Sequence, residues 1–530
     1  MIEKFKYKKI LNYSLLSIIG IFIIYYISVL TQHNMFWNDD YGYCAYGMNE
    51  GIFSSLNFQQ EHGGGYIGLF LCKFLSFGLP NMCGIHPADF IGHIHGIILG
   101  FFTVFILLSI TKFFTYYYKS TTAKLLILLL ITLYFFVHAY SSWILLVNYN
   151  FYRYFFSLLF FSIFWNYIFK NILINCKKTN IPELILICFC GYVIGSSIEI
   201  TIFTSTFLSI LLVSYHLIEK LIKKQKINLS KKFYIPVTFL FSSAILFTTS
   251  NGFKEVASQR GMSNIHFNLQ EFQEFCELYW QVCITNEFFY WILFFALMIG
   301  SFFYAIRKNE IKKAILPILL QFSIMTVMFS LYLCGKTGHN ENFFLLHANV
   351  AFIYKMLLLY PLLMYTGYFL RNLSRQFNKK VILTILIIIN ITGIFYYIKE
   401  NIKHFNLEYK YKRDMVINIK KETYKMEKIL RFYYLKDMIP YIPTYMRSIP
   451  NQGYAFSYVN IHDNPNCYND QTTISYFPRI YKDTKSKQLG YCYCDNAIEK
   501  FYDAGGVFTE EELNNIEFQR LLDKDFVLNL

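Results

Sequence analysis

Apolar residues run through this chain in long blocks rather than in short amphipathic repeats, and polar residues gather in the gaps between them. Blocks of the length needed to cross a bilayer core of about 30 Å, roughly 20 residues each, fall at 11–31, 91–113, 125–147, 151–169, 182–197, 199–218, 233–250, 288–306, 314–334, 350–370 and 381–398. The stretch from 182 to 218 is too long for one helix, and Gly195-Ser196-Ser197 offers the break, which predicts two helices meeting in a tight turn. A shorter block from Tyr66 to Leu79 carries Lys73, which suits a helix lying in the membrane interface better than a span. The pattern predicts an all-α polytopic membrane protein with about eleven transmembrane helices, an interfacial helix in its first outer loop, and a different kind of segment at the end.

The basic residues set an orientation on that pattern. With the N-terminus inside, the loops on the inner side carry 24 Lys and Arg, whereas the opposite loops before residue 399 carry 4, Lys73, Lys254, Arg260 and Lys336, the tail holding 19 more. Such a bias predicts a cytoplasmic N-terminus. The N-terminal run is long and no small-residue cleavage site follows it, so it reads as an anchor and not as a removable signal. After residue 398 the character changes to mixed charge, with Pro440, Pro443, Pro450, Pro465 and Pro478 and no span-length apolar block. The expected organisation is a membrane domain over 1–398 and a small extracytoplasmic domain over 399–530.

Composition narrows the class further. Hydrophobic residues make up 55% and charged residues 16% of the chain, where a soluble domain carries about 25% charged. Disorder and collagen-like repeats are excluded by the same figures. The formal charge of +15 would suit nucleic acid if it were clustered, but in the membrane domain it sits in short loops between apolar blocks. Cys492 and Cys494 lack a second paired motif, so no zinc site is indicated.

Candidate chemistry begins just past the first block, at Trp37-Asn38-Asp39-Asp40-Tyr41. Two neighbouring carboxylates repel when both ionise, which raises one of them unless a cation is close, and this suits a general base or a metal ligand. Other polar residues collect toward the same expected ends of the blocks: His93 and His95, Arg153, Glu199, Arg260, Lys336 and His339. Ionisable groups within a bilayer cost about 2.5–3.5 kcal/mol on insertion scales and mark functional paths, so their common side predicts one outward-facing polar cavity. On a helix His93 and His95 point in different directions, which allows one of them at most to face that cavity.

An outer loop that opens on Asn38-Asp39-Asp40-Tyr41, followed by an interfacial helix and many further spans, resembles the GT-C membrane glycosyltransferases over roughly residues 1–400. More narrowly it is similar to bacterial members that modify O-antigen or other surface glycans. Tyr152-Arg153, Ser197-Ile198-Glu199 and Ser250-Asn251-Gly252 through Arg260 are weaker echoes; the proline that often precedes that arginine in related enzymes is absent here. The resemblance implies an inverting hexosyltransferase of the bacterial cytoplasmic membrane, with a polyprenyl-phosphate-linked sugar as donor and a glycan or lipid-linked acceptor at the outer face. Asp39 would be the general base and Asp40 its partner. Arg153, Arg260 or Lys336 would bind the donor phosphate, and His93, His95, Glu199 and His339 would bind substrate. No cofactor is fixed by the residues, and a divalent cation, magnesium or manganese, at Asp39 and Asp40 is the one candidate. The alternatives are a polysaccharide polymerase and a lipid-linked-glycan transporter or flippase. The first would need several arginines in the outer loop where Arg260 stands alone, and the second would need midplane sites and internal repeats.

Overall fold

The computed structural model describes residues 2–31, 66–84, 94–137, 151–174, 180–222, 231–250, 288–333, 348–376, 380–395, 458–461 and 489–492, with isolated positions between them. Helix α1 covers Ile2–Thr31, α2 Tyr66–Lys73 and α3 Leu79–Met82. Then come α4 (His95–Thr115), α5 (Thr121–Val137), α6 (Ser157–Ile174), α7 (Ile181–Gly195), α8 (Glu199–Ile222) and α9 (Lys231–Thr249). The last are α10 (Phe288–Arg307), α11 (Ile311–Leu333), α12 (Ala348–Gln376) and α13 (Lys380–Phe395). In the tail, β1 (Tyr458–Ile461) pairs antiparallel with β2 (Leu489–Cys492), Tyr458 opposite Cys492.

The expectation of about eleven transmembrane helices is corrected. Among the described residues four helical segments are long and apolar enough to cross a membrane: His95–Thr115, Ile200–Ile222, Phe288–Arg307 and Phe352–Ser374. The reason is length. α7 has 15 residues and at 1.5 Å per residue rises about 22 Å, well short of a core of about 30 Å. Within α1 the apolar stretch among the described residues is Asn12–Ser28. α9 and α13 contribute the apolar stretches Phe233–Thr249 and Lys380–Phe395, also below span length. Apolar runs in the sequence locate helices, but they overstate how many can span.

Close packing joins these helices into one core. α4 lies against α1, where the Cβ of an alanine at Gly100 would stand 2.8 Å from Ile24 Cα. α7 and α9 pack backbone to backbone at Gly195, since a Cβ there would lie 2.4 Å from Leu240 O. Small residues allow such approach, as they do between membrane helices in general. The break between α7 and α8 falls at the Gly-Ser-Ser site: Ser196 closes α7, bonding back to Tyr192 O, and Glu199 opens α8.

Contacts along the helices fix their directions. Phe155 meets Phe352 at 5.9 Å between ring centroids, Ser162 Oγ hydrogen-bonds Tyr360 Oη at 2.7 Å, and Trp165 Nε1 donates to Ser205 Oγ at 3.1 Å. α6 and α12 therefore run the same way, together with α4, whose Phe113 packs on Tyr360 at 4.6 Å, and with α8, whose Glu219 near its end pairs with Lys312 at the start of α11. Tyr290 Oη donates to Leu358 O at 3.0 Å, which sets the start of α10 beside the first half of α12. At one end of the bundle lie the starts of α4, α6, α8, α10 and α12. At the other lie the basic connections.

The basic end is clasped by the turn between α10 and α11. Arg371 of α12 donates to both carboxylate oxygens of Glu310 at 3.4 Å, and Tyr368 Oη donates to Oε2 at 3.2 Å. Lys313 completes the pairing. Lys308 Nζ donates to Asn372 Oδ1 at 2.6 Å, and Tyr117 Oη reaches Lys313 O at 3.1 Å. Asn309 takes φ 53°, a left-handed conformation that asparagine tolerates at a helix end. Burial alone would raise the Glu310 carboxyl, but the hydrogen bond from Lys313 and the charges of Arg371 and Lys313 outweigh it and hold the group below the ordinary glutamate range.

Candidate functional site

At the opposite end, the approach to α6 is not an ordinary helical turn. Phe156 N bonds to Phe151 O, five residues back, at 2.9 Å, so residues Phe151–Phe155 form one wide π turn. Such turns add one residue to the helix and shift its side chains round, often at functional positions. The aromatic rings of Phe151, Tyr152 and Phe155 are buried and wedge the turn into the core. Tyr152 lies edge-on to Phe102 of α4 at 6.3 Å, and Phe155 stacks on Phe135 of α5 at 5.0 Å.

Tyr152 meets the first residue of α4. His95 Nε2 and Tyr152 Oη are 2.8 Å apart in a buried hydrogen bond, and their rings lie 5.6 Å apart between centroids. His95 is 1% exposed, with Phe90 on its other side at 6.3 Å. A buried bond of this kind contributes on the order of 1 kcal/mol, while leaving either partner without it costs more. The next residue in the turn is Arg153, half-buried, with its guanidinium 5.5 Å from the ring of Tyr154. Two expected site residues, His95 and Arg153, are thus brought to one place, with Tyr152 as the link between them.

The first-loop helix docks on the same turn. A Cβ at Gly68 would stand 2.9 Å from both Arg153 Cα and Tyr152 O, so α2 can lie this close only with glycine there. α2 continues through a second π turn, Phe74–Gly78, into α3. Lys73, expected as a marker of the interface, is instead 4% exposed. Leu69, Cys72 and Leu75 are buried with it, so this face of the helix belongs to the core.

Glu199 opens α8 at the same end, since α8 runs parallel to α6 and its Glu219 lies at the other end beside Lys312. Asp39, Asp40, His93, Arg260, Lys336 and His339 lie outside the described residues. A cation absent from the sequence expectations joins the others: Lys355, half-buried, one turn along α12 from Phe352 and therefore near the level of the π turn. The signal for it was present, as it is the one charged residue of the apolar block 350–370. Tyr152 carried only the weak signal of the Tyr152-Arg153 pair, with nothing to assign it a role. Among the described residues no three His, Cys, Asp or Glu side chains are grouped to hold a metal ion.

The arrangement offers an imidazole hydrogen-bonded to a phenol of the π turn, and an arginine at the next position of that turn, at the end of the bundle away from the basic connections. It can donate hydrogen bonds to oxygen and balance negative charge. Comparison of the chain with protein families, with curated proteins and with solved structures finds no match.

Proposed function

We propose that the protein is a membrane glycosyltransferase that moves a sugar from a polyprenyl-phosphate-linked donor to a glycan or lipid-linked acceptor, working at the outer face of a bacterial cytoplasmic membrane. The observation that carries this is the meeting of His95, Tyr152 and Arg153 at the bundle end opposite the Glu310 clasp. Four helical segments long and apolar enough to cross a membrane support the membrane setting. The sequence resemblance built on Asn38-Asp39-Asp40-Tyr41 supplies the reaction class.

In this proposal Asp39 takes the proton from the acceptor hydroxyl, whose oxygen attacks the anomeric carbon as the bond to the lipid phosphate breaks, with inversion. Asp40 orients Asp39; a divalent cation, if the reaction uses one, would be held by these two carboxylates. The departing phosphate needs fixed positive charge. Arg153 is the first choice among Arg153, Arg260 and Lys336, because its fork can meet two phosphate oxygens and it belongs to the π turn whose Tyr152 bonds His95. His95 and Glu199, with His93 and His339, contact substrate. The N-terminus is cytoplasmic and the segment 399–530 extracytoplasmic.

The test is transfer of labelled sugar from a polyprenyl-phosphate donor in membranes containing the parent, Asp39→Asn or Asp40→Asn at equal expression. Loss of a general base lowers the rate by about 10²–10⁴. Parent-like transfer by both variants would remove the acid–base role from Asp39 and Asp40.

A further inference from the structure

Among the described residues His95 makes one of its two ring contacts and not the other. Nε2 bonds to Tyr152 Oη at 2.8 Å, while Nδ1 is buried and has no hydrogen-bond partner among the described residues. Buried polar atoms are nearly always paired, so an orphan on an otherwise well-held side chain calls for an explanation. The sense of the Tyr152 bond decides what the orphan is. A phenol is the better donor, with a pKa of about 10, and the unprotonated imidazole nitrogen the better acceptor, so the proton of the pair comes from Tyr152. Nε2 then accepts, and the ring's own hydrogen is on Nδ1. Nδ1 is one bond from Cγ and stays by the first turn of α4, while Nε2 spans the gap to the π turn.

We propose that His95 Nδ1–H is a substrate contact, a neutral donor to an acceptor oxygen of the donor's sugar–phosphate head, and that Tyr152 is the positioning residue that holds the tautomer. The inference rests on the glycosyltransferase proposal and deepens it by naming the atom and the chemistry it recognises. Two features favour this ligand. The rings of Phe90 and Tyr152 lie against His95, and aromatic rings are suited to the C–H face of a sugar. Arg153, the next residue, carries the charge that the phosphate requires, so His95 need only supply direction.

The two ring nitrogens can be separated by amide substitution. An asparagine side chain puts its amide near the position of Nδ1, and a glutamine near that of Nε2. A purely structural His95, valued for its bond to Tyr152, is rescued by His95→Gln and not by His95→Asn. The proposal expects the reverse. Binding of farnesyl phosphate, and of farnesyl phosphate carrying glucose, would be measured on the full-length protein in nanodiscs. His95→Gln should weaken binding by about tenfold, the loss expected for one good hydrogen bond, and His95→Asn by clearly less. A loss for both lipids assigns the phosphoryl oxygen, and a loss confined to the glucosylated lipid assigns a sugar hydroxyl. Parent-like binding by His95→Gln overturns the proposal. A measurement free of folding defects accompanies it: in the parent labelled with ¹⁵N-histidine, the His95 Nδ1 resonance should be of the protonated type and shift when the lipid is added, and Tyr152→Phe should turn it into a tautomer mixture. An unprotonated Nδ1, or a resonance that ignores the lipid, also overturns it. The transfer assay of Asp39→Asn stands apart from these readouts, so failure here leaves the reaction class to be judged on its own test.

Discussion

At the scale of single residues, Arg153 and Lys355 carry the charge questions. A lysine keeps the charge of Arg153 but loses the planar fork, so Arg153→Lys should lower sugar transfer by about tenfold or more if two phosphate oxygens are held. Parent-like kinetics for Arg153→Lys would mean that the position serves only as a point charge. Much of this level was legible in the sequence. His95 and Arg153 stood out because ionisable groups are rare inside apolar blocks. Lys355 met the same criterion and was passed over for the loop cations Arg260 and Lys336. The Tyr152-Arg153 pair was legible but the role of Tyr152 was not, since that comes from the bond across to His95 and from a π turn that tertiary packing imposes.

Elements behave as the contacts between them dictate. The docking of α2 on the π turn depends on Gly68, where an added methyl would overlap backbone atoms of Tyr152 and Arg153 at 2.9 Å. Backbone cannot yield as a flexible side-chain end does. Gly68→Ala should therefore cost about 1–3 kcal/mol of stability, the usual range for overpacking, and depress transfer along with it. Thermal unfolding in detergent checks the first, and an unchanged melting temperature would show that α2 lifts off freely. The clasp at Glu310 gives a pH dependence of definite sign. Its carboxyl is held below the ordinary range by Lys313 and Arg371, so the stabilisation is complete above the unfolded value of about 4.3 and is lost as pH falls through the lower folded value. The parent should lose melting temperature more steeply than Glu310→Gln below about pH 4.5, and equal slopes would mean the clasp adds no net stability. The helices themselves were readable as apolar runs, and the break before α8 as Gly195-Ser196-Ser197. Their number as spans was not, because hydropathy registers a 15-residue packed helix such as α7 much as it registers a full crossing.

For the whole molecule, the proposed function requires two ends of unlike chemistry, with the Glu310 clasp inside and the His95 end outside. Impermeant thiol reagents on intact cells should label Thr249→Cys, an exposed position closing α9 at the His95 end, and spare Lys312→Cys beside the clasp. The reverse pattern would invert the molecule. The separation of the ends could be foreseen from the uneven distribution of Lys and Arg, whereas the tail could not: its paired strands β1 and β2 come from positions nearly thirty residues apart with no alternating pattern to announce them. The most direct measurement of the central claim is sugar transfer by the purified protein in vesicles of known sidedness. Labelled polyprenyl-phosphate sugar should be consumed when the acceptor is offered on the side of the His95 end, and should remain intact when the acceptor is confined to the side of the Glu310 clasp. Transfer to an acceptor at the clasp side, or donor that crosses the membrane with its sugar still attached, would contradict the account.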